Sequence, residues 1–226
     1  MRILLIGKSG MMEEWVHACS MHECITREDV DRKFLSSNRF DLVVDLHLEN
    51  GEQKKEILQM LHANLDRSIP IITNGICVTT TEIASWLGDA ERVVGLAWLP
   101  TFLNADRVEI SFASKSERQH LVHVSDFFSS LGKSVEIVTD TIGMVFPRIL
   151  CMIIDEAYFA MEQGIADADA IDTAMKLATN YPMGPVEWGR KIGLRNVLIV
   201  LKTLHTEFGD DRYRPAPLLK KTSFEY

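Results

Sequence analysis

Apolar and polar positions alternate along this chain in two regimes. From residue 1 to about 140, short runs rich in β-branched residues are separated by stretches in which apolar residues recur every three or four positions. Seven such runs read as strands: Arg2 to Ile6, His22 to Thr26, Asp41 to Leu46, Ile69 to Thr73, Arg92 to Leu96, Arg107 to Ala113 and Val135 to Val138. Strands alternating with amphipathic helices are the pattern of βαβ units on a mostly parallel sheet. After the third run, Ile57, Leu58, Leu61 and Leu65 fall on one helical face, with Lys55, Glu56 and Gln59 outside it. Ser114 to Glu117 reads as a capping box that opens a helix before Leu121 to Phe128.

Beyond Gly143 the period of two stops. Ile149 to Gly164, Ala168 to Thr179 and Leu194 to Phe208 have helical period and length. The first of these is apolar around most of its circumference (Leu150, Met152, Ile153, Ile154, Ala157, Phe159, Met161), so other helices or another subunit must cover it. The stretch Asp210 to Pro217 and the tail after Lys221 read as surface loop and terminus. The expected architecture is therefore α/β: a doubly wound, Rossmann-like domain over residues 1–140, then an all-helical domain over 141–226 suited to a homodimer.

Composition narrows the partners. With 24 basic and 32 acidic residues the formal net charge is −8, which argues against a nucleic-acid or anionic-membrane surface. No apolar run approaches the roughly 20 residues of a membrane span, and the N-terminal run is too short for a signal-peptide core. A cytoplasmic protein with a small-molecule ligand is expected. Cys19, Cys24, Cys77 and Cys151 have neither zinc-ligand spacing nor disulfide density, and read as reduced, mostly buried thiols.

The opening strand runs into Gly7-Lys8-Ser9-Gly10-Met11-Met12, where a dinucleotide fold places its phosphate turn. Of the three fingerprint glycines only Gly7 stands in place, since Ser9 and Met12 occupy the other two positions. Side chains there are expected to crowd a pyrophosphate. An ordinary strand-to-helix turn is an equal alternative.

The second half is similar in order and spacing to the helical domain of the 3-hydroxyacyl-CoA dehydrogenases. The matching residues are Gly164-Ile165-Ala166, Ile171 to Met175, Pro182-Met183-Gly184-Pro185, Gly193-Leu194 and Arg212 to Leu219. The first domain resembles that family through Asp41 to Asp45, Glu49-Asn50, Lys54, Asn74, Thr81 to Ala84, Gly95-Leu96, Val108-Glu109 and Gly132-Lys133, without a helical excursion between its second and third strands. The resemblance implies NAD-dependent oxidation of a 3-hydroxyacyl-CoA, in which a histidine held by a glutamate takes the hydroxyl proton. It places Gly7, Glu49, Lys54 and Asn74 beside the cofactor and assigns Glu109 to the orienting glutamate.

Three positions depart from the family pattern. Gly95-Leu96-Ala97-Trp98-Leu99-Pro100 carries alanine where the histidine belongs. Ile76, in Asn74-Gly75-Ile76-Cys77, replaces a serine, and Pro147, in Gly143 to Arg148, replaces an asparagine. Three readings remain open: a catalytically impaired relative that keeps a nucleotide or acyl-CoA ligand or acts by association, an active NAD(P)-dependent oxidoreductase whose proton is handled by Glu109, His47 or water, or a pure interaction protein with no small ligand. His47 ends a parallel strand at the ligand edge, although a strand-end histidine bonded to backbone or water is the plainer account. His120 and His123 lie three apart without a third ligand, so no metal is expected. Glu28 is the nearest match to an acidic ribose anchor, and reads equally as a first-turn helix residue.

Overall fold

The structure, a computed structural model, describes every residue except 50, 90, 102, 104, 114–117, 119 and 226, together with all side chains of the described residues but those of 9–11. The expected capping box at 114–117 lies outside the described residues. The chain divides into two compact units, Met1–Met144 and Val145–Tyr226.

The first unit runs β1 (Arg2–Ile6), α1 (Ser9–Ala18), β2 (Glu23–Arg27), α2 (Arg32–Ser37), β3 (Leu42–Asp45), α3 (Glu52–Asn64), β4 (Ile71–Asn74), α4 (Thr80–Leu87), β5 (Val93–Leu96), β6 (Arg107–Phe112), α5 (Leu121–Ser130) and β7 (Ser134–Ile137). Its strands form one sheet in the order β2-β1-β3-β4-β5-β6-β7. The first five are parallel, β6 joins β5 antiparallel, and β7 runs parallel to β6. β1, β3, β4 and β5 are buried throughout or nearly so, which is why they read as continuous apolar runs rather than alternating ones. The pleat sends Ile3, Leu5, Leu42, Val44 and Val94 to one core with Trp15, Phe127 and Phe128. It sends Leu4, Ile6, Val43, Ile71 and Val93 to the other with Ile57, Leu58, Leu61 and Ile83. Helices α1 and α5 thus cover one face, and α3 and α4 the other. Connections from β1 to β2 and on to β3 diverge, so the carboxyl ends of β1 and β3 open the crevice where doubly wound sheets take their ligands.

The second unit runs α6 (Phe146–Glu162), α7 (Ala168–Thr179), α8 (Pro185–Ile192), α9 (Leu194–Phe208), a 3-10 turn (Asp211–Tyr213) and α10 (Pro217–Thr222). Buried carboxylates fasten these helices to one another. Asp172 of α7 accepts from the Val186 and Glu187 amides at 2.8 and 3.1 Å, capping α8 from outside. A Cβ on Gly184 would lie 2.2 Å from Asp172, so the turn before α8 requires glycine. Asp155 of α6 accepts from the Ala216 amide at 2.8 Å and holds the chain leading to α10. The segment expected to be surface loop and tail is therefore packed, with Tyr213, Ala216, Leu219 and Ser223 buried. Helices α8 and α10, of 8 and 6 residues, are too short to show a period. Each opens with proline at its first position, a local start signal.

Candidate functional site

The residues expected at the cofactor and the catalytic position of the first unit lie on or beside strand ends of the sheet. Gly7 follows β1, Asp45 ends β3, Asn74 ends β4, Ala97 follows β5, and Glu109 lies near the start of β6, which runs the opposite way.

A carboxylate at the end of an apolar strand organises the centre of that edge. Asp45 is fully buried and accepts from Thr73 Oγ1 at 2.7 Å and His47 Nδ1 at 2.6 Å, with Lys54 Nζ at 3.2 Å. Burial alone would push its carboxyl up. The Lys54 ammonium, the His47 imidazole and the Thr73 hydroxyl outweigh that cost and hold it at about 2. Lys54 donates in addition to the His47 and Asn74 carbonyls, both at 2.7 Å, so all three of its protons are engaged. Asn74 turns inward as well, donating to the Trp98 carbonyl at 3.1 Å and accepting from the Ile76 amide at 3.3 Å. One polar chain thus ties together the ends of β3, β4 and β5 and the first turn of α3.

This places two expected cofactor residues beneath the edge. Lys54 is 1% exposed and Asn74 fully buried, and their polar ends are bonded to the protein. Glu49 is exposed beyond β3, and Gly7 sits where α1 begins. Asp45 and Thr73 did not emerge from the sequence as site residues. A lone carboxylate in Leu42 to Leu46 was the available signal, because a buried charge requires partners.

The register of β5 and β6 fixes which residue stands across from Glu109. Gly95 pairs with Ser111 and Leu96 with Ile110, and the Ala97 amide donates to the Glu109 carbonyl at 3.0 Å, so Ala97 stands directly across from Glu109. Directly opposed side chains project to one face with their Cβ atoms roughly 5 Å apart. Glu109 is half-buried inside β6 and not an exposed strand-end carboxylate. Behind Gly95, Thr80 Oγ1 and Ser111 Oγ share a 2.6 Å hydrogen bond, and a Cβ there would lie 2.1 Å from Thr80. Ile76 is fully buried in the loop after β4, and Pro147 is buried in the first turn of α6.

His47 is the other titratable group at this edge. Asp45 holds its Nδ1, and its side chain keeps 11% of its surface in solvent. Its second ring nitrogen is not among the buried atoms that lack a partner.

The edge fits a dinucleotide, although the glycine pattern is incomplete. Helix α1 opens two residues past β1 with an extended Lys8 before it, so its first amides face the crevice. Met12, in place of the helix-packing glycine, is buried in the core cluster with Trp15, and its Cγ would lie 3.9 Å from a Cβ at Gly7. Glu28 does not start a helix: α2 begins at Arg32 with Asp31 as its cap, accepting from the Phe34 amide at 2.7 Å. His120 is buried, and among the described residues no three His, Cys, Asp or Glu side chains come together to hold a metal. The four cysteines are free thiols, three of them buried. Among the described residues no helix is long and apolar enough to cross a membrane.

Comparison with known proteins follows the same two units. Residues 8–141 match the family model described as 3-hydroxyacyl-CoA dehydrogenase, NAD binding domain, and residues 143–224 match that family's C-terminal domain. A probable 3-hydroxybutyryl-CoA dehydrogenase of Bacillus subtilis is 31% identical over 201 residues, covering 87% of this chain and 69% of that protein. The 3-hydroxybutyryl-CoA dehydrogenase of Clostridioides difficile is 33% identical over 181 residues, covering 80% of this chain and 64% of that protein. The chain thus spans about two thirds of the length of these relatives. The solved structure of an (S)-3-hydroxybutyryl-CoA dehydrogenase of Ralstonia eutropha shares the fold with a TM-score of 0.81 at 23% identity, covering 99% of this chain and 93% of that one.

Proposed function

Since the chain belongs to the 3-hydroxyacyl-CoA dehydrogenase family, we propose that it binds NAD and an acyl-CoA-type ligand on the family scaffold but lacks the family's proton acceptor. NAD is the cofactor of the domain family to which residues 8–141 belong, and when bound it supplies the hydride acceptor. The amides at the start of α1 and the Gly7 turn would hold its diphosphate. Glu49 lines the same crevice, and Lys54 and Asn74 keep the edge rigid from below.

The single observation that carries the reading is the cross-strand pair Ala97 and Glu109. Glu109 is placed to orient a residue on the neighbouring strand, and the side chain it faces is a methyl group. Loss of a general base costs about 10²–10⁴ in rate. Ile76 and Pro147 remove two further polar contacts, and one lost oriented donor typically costs about 10²–10³ more. Turnover by the family mechanism is therefore silenced. The same chain functions as a cytoplasmic homodimer without nucleic-acid or membrane partners, in keeping with its net charge of −8 and the apolar side chains on its helical unit.

The test is oxidation of NADH and NADPH by high concentrations of the purified protein with acetoacetyl-CoA. Folded protein that binds but does not turn over is the expected result. Saturable turnover at a rate typical of the family would overturn the reading. It would favour a second one that the Asp45–His47 pair supports: a buried carboxylate holding Nδ1 of a partly exposed ring is the arrangement of a working acid–base histidine. Under that reading His47→Gln abolishes the turnover.

A further inference from the structure

The connection from α1 to β2 brings two thiols together. Cys19 ends α1, its amide donating to the Trp15 carbonyl at 2.8 Å, and a turn follows in which the His22 amide donates back to the Cys19 carbonyl at 2.8 Å. Cys24 then enters β2 opposite Ile3, on the outermost strand of the sheet. Its Sγ lies 3.8 Å from the Cys19 carbonyl oxygen, and the two side chains are hydrogen-bonded to each other. Both pack into one apolar cluster with Met12 and Trp15, so residues five positions apart meet through their sulfurs.

The two thiols are unlike. Cys19 is fully buried, whereas Cys24 keeps part of its surface in solvent. An S–H donated by Cys19 holds the Cys24 thiol below its ordinary value, against the burial that pushes it up. The same contact, together with burial, pushes the Cys19 thiol up. Cys24 is therefore the sulfur that carries negative charge and meets reagents, and Cys19 is its protonated neighbour. Cys77 and Cys151 are buried, at 2% and 0% exposure.

We propose that Cys24 is a site of reversible oxidation by hydroperoxides, with Cys19 closing the product to an intramolecular disulfide. The Cys24 thiolate attacks the terminal oxygen of the peroxide: an S–O bond forms, the O–O bond breaks, and the departing alkoxide or hydroxide takes a proton from water. The Cys19 sulfur then attacks the sulfenic acid. An S–S bond forms, the S–O bond breaks, and hydroxide leaves with the Cys19 proton as water. One peroxide is reduced and two thiols are oxidised, and a dithiol reverses the change. Because the side chains start in contact, closure to the roughly 2 Å of a disulfide is a short approach. The pair lies toward the amino end of β2, away from the Gly7 turn, so the inference is independent of the dinucleotide reading.

The full-length protein, reduced and freed of reductant, is treated with a slight excess of hydrogen peroxide, alkylated and digested with trypsin. No lysine or arginine separates Cys19 from Cys24, so one peptide carries both. The expected product is that peptide two hydrogens lighter, without alkyl groups, and restored by dithiothreitol. Before peroxide, Cys24 should alkylate at neutral pH about tenfold or more faster than Cys77 or Cys151. Cys19→Ala should leave a sulfenic acid at Cys24 that a 1,3-diketone traps, and should move the pH profile of Cys24 alkylation upward. Cys24→Ser should abolish the oxidised peptide. Four alkylatable thiols in the unaltered folded protein after peroxide overturn the inference. So does irreversible oxidation of Cys24 with Cys19 left alkylatable, or oxidation of Cys77 or Cys151 ahead of Cys24. The peptide from the unaltered protein decides the matter whether or not Cys19→Ala folds.

Discussion

At position 97 this chain carries a methyl group where the proposed reading places the family's imidazole. Because the Ala97 amide donates to the Glu109 carbonyl, a histidine introduced there would stand across from a carboxylate already in place. Ala97→His should therefore raise acetoacetyl-CoA reduction by about 10²–10⁴ over the unaltered protein, and adding Glu109→Gln should remove most of the gain. No gain in a folded Ala97→His variant would mean that Ile76 and Pro147 silence the site by themselves. A second residue-scale prediction concerns Asp155. Burial pushes its carboxyl up to about 6 from an ordinary 3.8, only partly opposed by the Ala216 amide. The folded chain keeps this proton where the unfolded chain has released it, so the contribution to stability is full below about pH 4, falls as pH rises from 4 to 6, and is absent above 6. The span is at most about 3 kcal/mol. Asp155→Asn leaves an acceptor for the Ala216 amide and nothing to titrate. Denaturant unfolding at pH 4 and pH 7 should show the unaltered protein losing stability relative to the variant; a constant difference would sink the assignment.

At the scale of elements, the Lys54 ammonium is what lets β3 end on a buried charge. It binds Asp45 and the carbonyls of His47 and Asn74, so α3, β3 and β4 share one fastening. Lys54→Met should cost about 3–5 kcal/mol because Asp45 is left buried without its counter-ion. Adding Asp45→Asn should restore part of that loss. Additive losses in thermal unfolding would show that the pair is not coupled. Gly184→Ala should likewise destabilise, by about 1–3 kcal/mol, through overpacking against Asp172. These fastenings explain what the sequence could reveal. β1, β3 and β5 were legible because burial on both faces makes them continuously apolar, and α7 and α9 because 12 and 15 residues display a period. The alanine at position 97 was legible because it is a matter of residue identity. The Asp45 cluster was not, since Thr73 lies 28 positions away and only the parallel pairing of β3 with β4 brings it near. Nor was the inward packing of Met12, because a glycine pattern says nothing of where its replacement points.

For the whole molecule, the question is what covers the helical unit. Helix α6 buries Leu150, Cys151, Ile154, Ala157 and Tyr158 along one side, which absorbs much of its apolar circumference. The other side keeps Phe146 46% and Ile149 53% exposed, one turn apart on the same face. Ile165 and Leu177 are 70% and 83% exposed in the same unit. Scattered apolar residues need no cover, whereas a helix apolar on two sides does. A second copy is the partner always at hand, and a twofold arrangement buries such a face on both chains at once. The expected outcome is a solution mass of twice 25.6 kDa at micromolar concentration. Ile149→Glu should halve that mass without lowering the unfolding temperature of the separated chains, because the substituted side chain is exposed within each chain. A monomer before substitution would remove the homodimer from the account. The buried side of α6 and the edge built around Asp45 would be unaffected, since both are complete within one chain.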